Sequence, residues 1–347
     1  MSVLVFLLSL SILVFVHEFG HFIAAKRSGV KVEEFGFGLP PRVFGRKIGD
    51  TLYSLNLLPI GGFVKLKGED GEVMGFGSEG SFAAASNAKR LIIVVAGVIG
   101  NLILAYLIFV LLFLVGNPTL TGKVKIAEVT KNSPAEASEI RAGDYVARVD
   151  GKQVSDPQDF INNVNGRKGK VVTLTVERDG ETISLVTTPR VNPPSGEGPL
   201  GVVVGFDSNL TYKKTNLDQA VILAAKEIYK DLSLMAAGLK NLVSEVFAGR
   251  APAEVTGVVG IYKISTQALE VGFRIYLQLV ALISLNLFMF NLLPIPALDG
   301  GRLLFILIET MRGKKISPRV EKAVNNFGLA ALLLLFVLVT IRDIKRF

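Results

Sequence analysis

Four long apolar stretches constrain this chain more than any other feature. They run over Ser2–Ala25, Leu91–Val115, Phe273–Leu293 and roughly Val320–Ile341. A bilayer core of roughly 30 Å takes about 20 helical residues to cross. Inside it every backbone N–H and C=O must be satisfied locally, so the expected spans are α-helices. The fourth is the weakest, with an uninterrupted apolar core of only GLAALLLLFVLVTI. The first has no early Lys or Arg, and its apolar run continues past Phe22. It therefore reads as a retained span and not a cleaved leader.

Composition agrees with a polytopic membrane protein carrying a water-exposed part. Half of the 347 residues are hydrophobic, yet 20% are charged, and the mean hydropathy is +0.48. The net charge of +8 is concentrated beside the apolar spans, as lipid surfaces and topology signals require. That distribution argues against nucleic acid as a partner. Without cysteine there are neither disulfides nor thiolate metal sites. Ten Lys and Arg lie between Lys26 and Arg90, and six more between Arg302 and Lys322. The positive-inside rule puts both segments in the cytoplasm and leaves the N-terminus and the long 116–272 segment outside. The basic IRDIKRF ending runs mildly against this.

Between the spans the character changes. The 30–80 region is glycine-rich, with alternation in TLYSLNLL and GGFVKLKG that predicts strands. Its apolar content suggests a β-hairpin dipping into the membrane margin. Residues 118–206 read as one α+β domain. KVKIAEV, YVARV, VVTLTVERD and TISLVTT form its strands, and SPAEASEIRAGD and DPQDFINNVN its short helices. Residues 216–248 predict an amphipathic helix with Val221, Ile228, Met235, Leu239, Leu242 and Val246 recurring near period 3.6. It carries too many charges to span, so it is expected at the outer membrane surface or on the small domain. GRAPAEVTGVVG then breaks the helix before the third span.

The chemistry sits in the first span. His17 and His21, the only histidines, lie four apart with Glu18 between them. On a helix, positions i and i+4 share a face, so both imidazoles can bind one metal ion. H-E-x-x-H is thus a zinc motif with a built-in general base. The bland alternative is a structural His–Glu network, but ionisable groups in a membrane are costly and usually mark function. Two histidines leave a catalytic zinc one protein ligand short. With no further His or Cys, the third must be a carboxylate. Asp299 in NLLPIPALDGGR follows the third span at a depth matching His17, which lies about 22 Å along its helix. Glu309 and Glu33 are the alternatives, and Asp299 could instead be an ordinary Asp-Gly turn. Asn286 and Asn291 on the same span could hold helices together or hydrogen-bond a substrate backbone.

HEFGH, GGFVKLKGE and NLLPIPALDGG together resemble the site-2 protease family of intramembrane zinc metalloproteases, in the bacterial branch with a PDZ domain. SPAEASEIRAGDYVARVDGKQV resembles that branch's PDZ core. The resemblance covers nearly the whole chain. It implies His17, His21 and Asp299 as ligands of one zinc ion and Glu18 as general base. It also implies that Asn286 and Asn291, and the strand with Gly61, Gly62, Phe63 and Val64, bind an extended substrate. The implied substrates are single-span membrane proteins already shortened by another protease, such as anti-sigma factors. The PDZ domain would serve as a size filter or hold a peptide C-terminus. The implied location is the bacterial inner membrane, with the PDZ domain outside and the active site toward the cytoplasm. Val258 stands where relatives often have proline, and only one PDZ domain fits. A non-proteolytic PDZ scaffold and a metal transporter remain the other readings.

Overall fold

The computed structural model describes residues 2–69, 78–194, 196–248 and 257–346. Helix α1 spans Ser2–Ser28. It stops where Gly29 turns left-handed (φ +77°) and the Val30 N–H donates to Ala25 O at 3.0 Å, a six-to-one closure that satisfies an orphan carbonyl. Strands β1 (Val32–Ile48) and β2 (Thr51–Leu66) follow as an antiparallel pair, and the alternating segments TLYSLNLL and GGFVKLKG both lie along β2, the second reaching just past its end. The pair doubles back on itself. Residues 34–37 pair with 52–55 on one side and with 62–65 on the other, while 42–48 pair farther out with 51–56. This puts 62–65 at an edge, beside α1.

Helix α2 (Asn87–Val115) starts on the cap of Ser86 Oγ and ends at Gly116. A separate compact unit, Pro118–Lys213, comes next. Its elements are β3 (Asn117–Val129), α3 (Pro134–Ala137), β4 (Tyr145–Val149), β5 (Lys152–Gln153), α4 (Pro157–Asn165), β6 (Val172–Arg178), β7 (Glu181–Thr187) and β8 (Val202–Lys213). The sheet order is β7-β6-β4-β3-β8, with β5 on β4. Ser133 and Asp156 cap α3 and α4, each followed by a proline at the first turn, the residue types that start a helix well. Val124, Ile126, Val146, Phe160, Leu174 and Val176 form its core. The unit runs to Lys213, past the boundary at 206 expected from sequence, because β8 continues through the polar NLTYK segment.

The chain then returns to the first unit. Helix α5 (Leu217–Phe247), expected at the outer membrane surface or on the small domain, packs its first half on α2. The buried stripe is Ala220, Ala224 and Ile228, while Val221 is 40% exposed. Two alanines face the bundle beside Ile228, because small residues let two helices approach closely. Helix α6 (Val258–Val271) is a correction, since only a break was expected there; residues 249–256 of that break lie outside the described set. Its first turn is capped from a distance: the Gly257 and Gly260 N–H groups donate to Asp343 Oδ2 at 2.9 and 2.8 Å.

Helix α7 spans Phe273–Leu292. Helix α8 (Asp299–Arg312) lies between the third and fourth spans, and α9 runs over Pro318–Arg346. Among the described residues four helices, α1, α2, α7 and α9, are long and apolar enough to cross a membrane. Tyr276 of α7 donates to Ser9 Oγ of α1 at 2.7 Å, and Ser284 of α7 donates to the Asn101 carbonyl of α2 at 2.8 Å. The apolar bundle is thereby pinned by a few internal polar contacts.

Candidate metal centre

α1 and α2 touch through glycine. A β-carbon at Gly20 would overlap the Ala96 carbonyl of α2, and one at Gly97 would overlap the His21 imidazole. Missing side chains at these two positions let the α2 backbone reach the histidines. His21 Nδ1 lies 2.8 Å from the Ile93 carbonyl. That carbonyl can only accept, so Nδ1 carries the proton and Nε2 presents its lone pair inward.

Asp299 is the first residue of α8, a helix start and not an isolated turn. A carboxylate is favoured there by the unpaired N–H groups of the first turn. Gly300 and Gly301 follow because a β-carbon at either would strike the Leu293 or Ile295 carbonyl. Asp299 Oδ2 ends 3.0 Å from His17 Nε2 and 3.2 Å from His21 Nε2, and the two Nε2 atoms are 3.2 Å apart. For a tetrahedral zinc with Zn–N near 2.0–2.1 Å, ligand atoms stand about 3.3 Å apart. The three donors match that triangle. Both imidazoles are buried, and Asp299 Oδ2 is buried without a hydrogen-bond donor. Donor atoms that converge in this way away from water could hold a metal cation between them.

Glu18 shares their cavity of about 240 Å³, together with Phe63, Val64, Phe82, Leu298 and Arg302. Its Oε2 accepts the Val64 N–H at 3.1 Å. Because Val64 pairs with Phe35 across the sheet, an N–H that reaches α1 must point off the outer edge of 62–65. The Glu18 carboxylate and the edge strand are therefore in direct contact.

The sequence profile of Peptidase family M50 matches residues 5–335. A Clostridium perfringens chain described as a zinc metalloprotease is 36% identical over 344 residues, covering 99% of this chain and 98% of its own. The chain belongs to peptidase family M50. Zinc metalloprotease RasP of Oceanobacillus iheyensis is 28% identical over 432 residues, 99% of each chain, and that of Shouchella clausii 29% over 426 residues, again 99% of each. A solved PDZ domain of an SdrC-like protein from Listeria monocytogenes is 21% identical, covering 24% of this chain and 87% of its own, with a TM-score of 0.22. The resemblance to site-2 proteases drawn from the sequence is borne out, and with it a zinc metalloprotease.

Within this M50 chain the alternative third ligands are otherwise engaged. Glu309 is buried against Arg90, and Glu33 lies 3.2 Å from Lys65. Phe63 and Val64 line the metal cavity, whereas Gly61 and Gly62 lie just beyond it against α1, near Val14 and Phe15. Asn286 is exposed on α7 and Asn291 half-buried; neither lines the metal cavity. Sequence reasoning passed over Gly20, Gly97 and the Arg302–Glu69 ion pair at the cavity wall. Glycines inside apolar spans were the available signal for the first two.

Proposed function

We propose that this chain hydrolyses peptide bonds within or beside the transmembrane segments of single-span membrane proteins, pre-cleaved anti-sigma factors among them, in regulated intramembrane proteolysis. The observation that carries the proposal is the triangle of His17, His21 and Asp299 with Glu18 in the same cavity, built on helices apolar enough to lie in a bilayer.

His17, His21 and Asp299 would hold one Zn²⁺, which supplies Lewis acidity when bound. Glu18 takes the proton of the attacking water on its carboxylate and delivers it to the leaving amine. The substrate binds as an added strand along 62–65, because an α-helical peptide bond is shielded and must be extended before attack. The outward N–H groups of that edge, of which Val64's now meets Glu18, support this reading. Asn286 and Asn291, on the helix leading to Asp299, would contact the substrate outside the cavity.

The basic 26–90 and 302–322 segments face the cytoplasm in this scheme. The N-terminus and the 118–213 unit then face the other side of the bacterial inner membrane, with the doubled β1–β2 pair at the membrane margin. The small unit acts as a PDZ domain that filters bulky substrates or holds a peptide C-terminus. The end position of β8 in its sheet leaves an edge on which such a peptide could add.

The test is cleavage of a truncated single-span reporter in membranes by the wild type and by Glu18→Gln, with zinc measured on both. Retained zinc with lost cleavage is expected. Equal cleavage by the two proteins would refute the role of Glu18. Zinc on both with cleavage by neither would favour the scaffold reading.

A further inference from the structure

We propose that Asn101 is a positioning residue for the metal: its side-chain oxygen accepts the Nδ1–H of His17 and thereby holds the His17 Nε2 lone pair on the zinc. Asn101 lies on α2 and is fully buried (0% exposed). Its amide nitrogen Nδ2 is placed 3.3 Å from His17 Nδ1, and its Oδ1 has no hydrogen-bond partner.

The argument follows from donors and acceptors. His17 turns Nε2 toward Asp299 and His21. A neutral imidazole that presents a lone pair at Nε2 carries its proton at Nδ1. That proton is buried and needs an acceptor. An amide nitrogen cannot provide one, but half a turn of the Asn101 amide exchanges its nitrogen and oxygen in place. With the oxygen against His17, the donor is satisfied and the unpartnered oxygen acquires a role. His21 is served in the same way by a backbone carbonyl of the same helix, Ile93 O at 2.8 Å. The two ligands are therefore oriented alike, one by main chain and one by side chain.

The location is held from three directions. Gly20 and Gly97 bring α1 and α2 together on either side of the histidines, and Ser284 of α7 grips the Asn101 carbonyl at 2.8 Å. The ring planes of His17 and His21 stand at 87° with centroids 4.8 Å apart. A half-turn of the His17 ring would put Cε1 in the place of Nε2 and Cδ2 in the place of Nδ1, and so spoil the ligand triangle. Asn101 selects between those two ring orientations. Partners of this kind typically set metal affinity by about 10–100-fold.

This inference rests on the zinc reading of the site, and the experiment separates the two. Zinc affinity of the full chain in detergent is measured by chelator competition for the wild type, Asn101→Leu and Asn101→Asp. Asn101→Leu, which fills similar space without an acceptor, is expected to bind zinc about 10–100-fold more weakly. Asn101→Asp, which keeps an oxygen there, should stay within a few-fold of wild type. A merely structural role would make the two variants alike. Equal affinity in wild type and Asn101→Leu, or equal losses in both variants, would overturn the proposal. Absence of zinc binding by the wild type would overturn the metal reading as well. Should Asn101→Leu fail to fold, the wild type decides alone. With only two histidines in the chain, its ¹⁵N-histidine spectrum with zinc bound has only two imidazoles to resolve. A protonated, hydrogen-bonded Nδ1 on His17 is expected, and an unprotonated one refutes the assignment.

Discussion

Gly97→Ala is the most direct way to disturb the metal centre without touching a ligand. The added β-carbon would fall on the His21 imidazole, 2.7 Å from Cδ2 and closer still to Cε1 and Nε2. The ring has little room to yield, because Nδ1 is held on Ile93 O and Nε2 on the ligand triangle. If the helices part instead, the close contact of Gly20 with Ala96 is lost as well. Overpacking of this kind costs about 1–3 kcal/mol, and losing the Nδ1 hydrogen bond adds about 1 kcal/mol. If about 2.7 kcal/mol of this is felt in metal binding, zinc affinity falls about 100-fold. The assay is chelator competition on the purified full chain, with helicity followed by circular dichroism. Gly238→Ala on α5 is the control: its β-carbon meets nothing within 4 Å, so it should leave zinc binding unchanged. Wild-type affinity in Gly97→Ala would refute the packing argument.

Two further predictions concern support away from the metal. In the small unit, burial pushes the Asp144 carboxyl up, but hydrogen bonds from Arg178 and the Arg141 N–H outweigh it and hold it below its ordinary range. A depressed folded pKa contributes stability above the unfolded value near 3.9, which is lost as pH falls through the folded one. Asp144→Asn should therefore destabilise that unit by about 2–3 kcal/mol at neutral pH and much less in acid, read by limited proteolysis across a pH series. Asp343→Ala removes the acceptor of two buried N–H groups at the start of α6. Hydrogen exchange at Gly257 and Gly260 should rise by at least about 30-fold, given about 2 kcal/mol for the lost bonds, whereas Asp343→Asn should recover most of the protection.

The parts of this protein visible in its sequence are those that local pattern encodes. Spacing alone put His17 and His21 on one helical face, and the missing ligand pointed to Asp299. Alternation marked β2, and the Ser-Pro and Asp-Pro starts marked α3 and α4. What escaped depends on contacts between distant residues. The start of α6 is capped by Asp343, 83 residues beyond Gly260, so its glycines and short apolar run read as a break. The buried face of α5 takes Ala220 and Ala224 beside the expected Ile228, because α2 approaches closely there and hydrophobicity ranks alanine below Val221. The pairing of 34–37 with two different parts of β2 is a choice of register that alternation cannot specify.

The same distinction explains why the helix that matters most for the zinc site carries no ligand. Arg90, Ile93, Gly97 and Asn101 recur on α2 at spacings of three, four and four, which puts them on one stripe of the helix. Arg90 pairs with Glu309 and so ties down α8, whose first residue is Asp299. Ile93 orients His21, Gly97 makes room for its ring, and Asn101 meets His17. One face of α2 thus contacts or braces every element that delivers a ligand. A rigid apolar helix suits this task, since its backbone needs no partner beyond itself in the membrane and can spare a carbonyl for His21 alongside its helical bond. Substitutions along this stripe should share one signature, weakened zinc binding with all three ligands intact. Substitutions on the lipid-facing side of the same helix, at Ile92, Ile99, Ile103 or Leu107, should not.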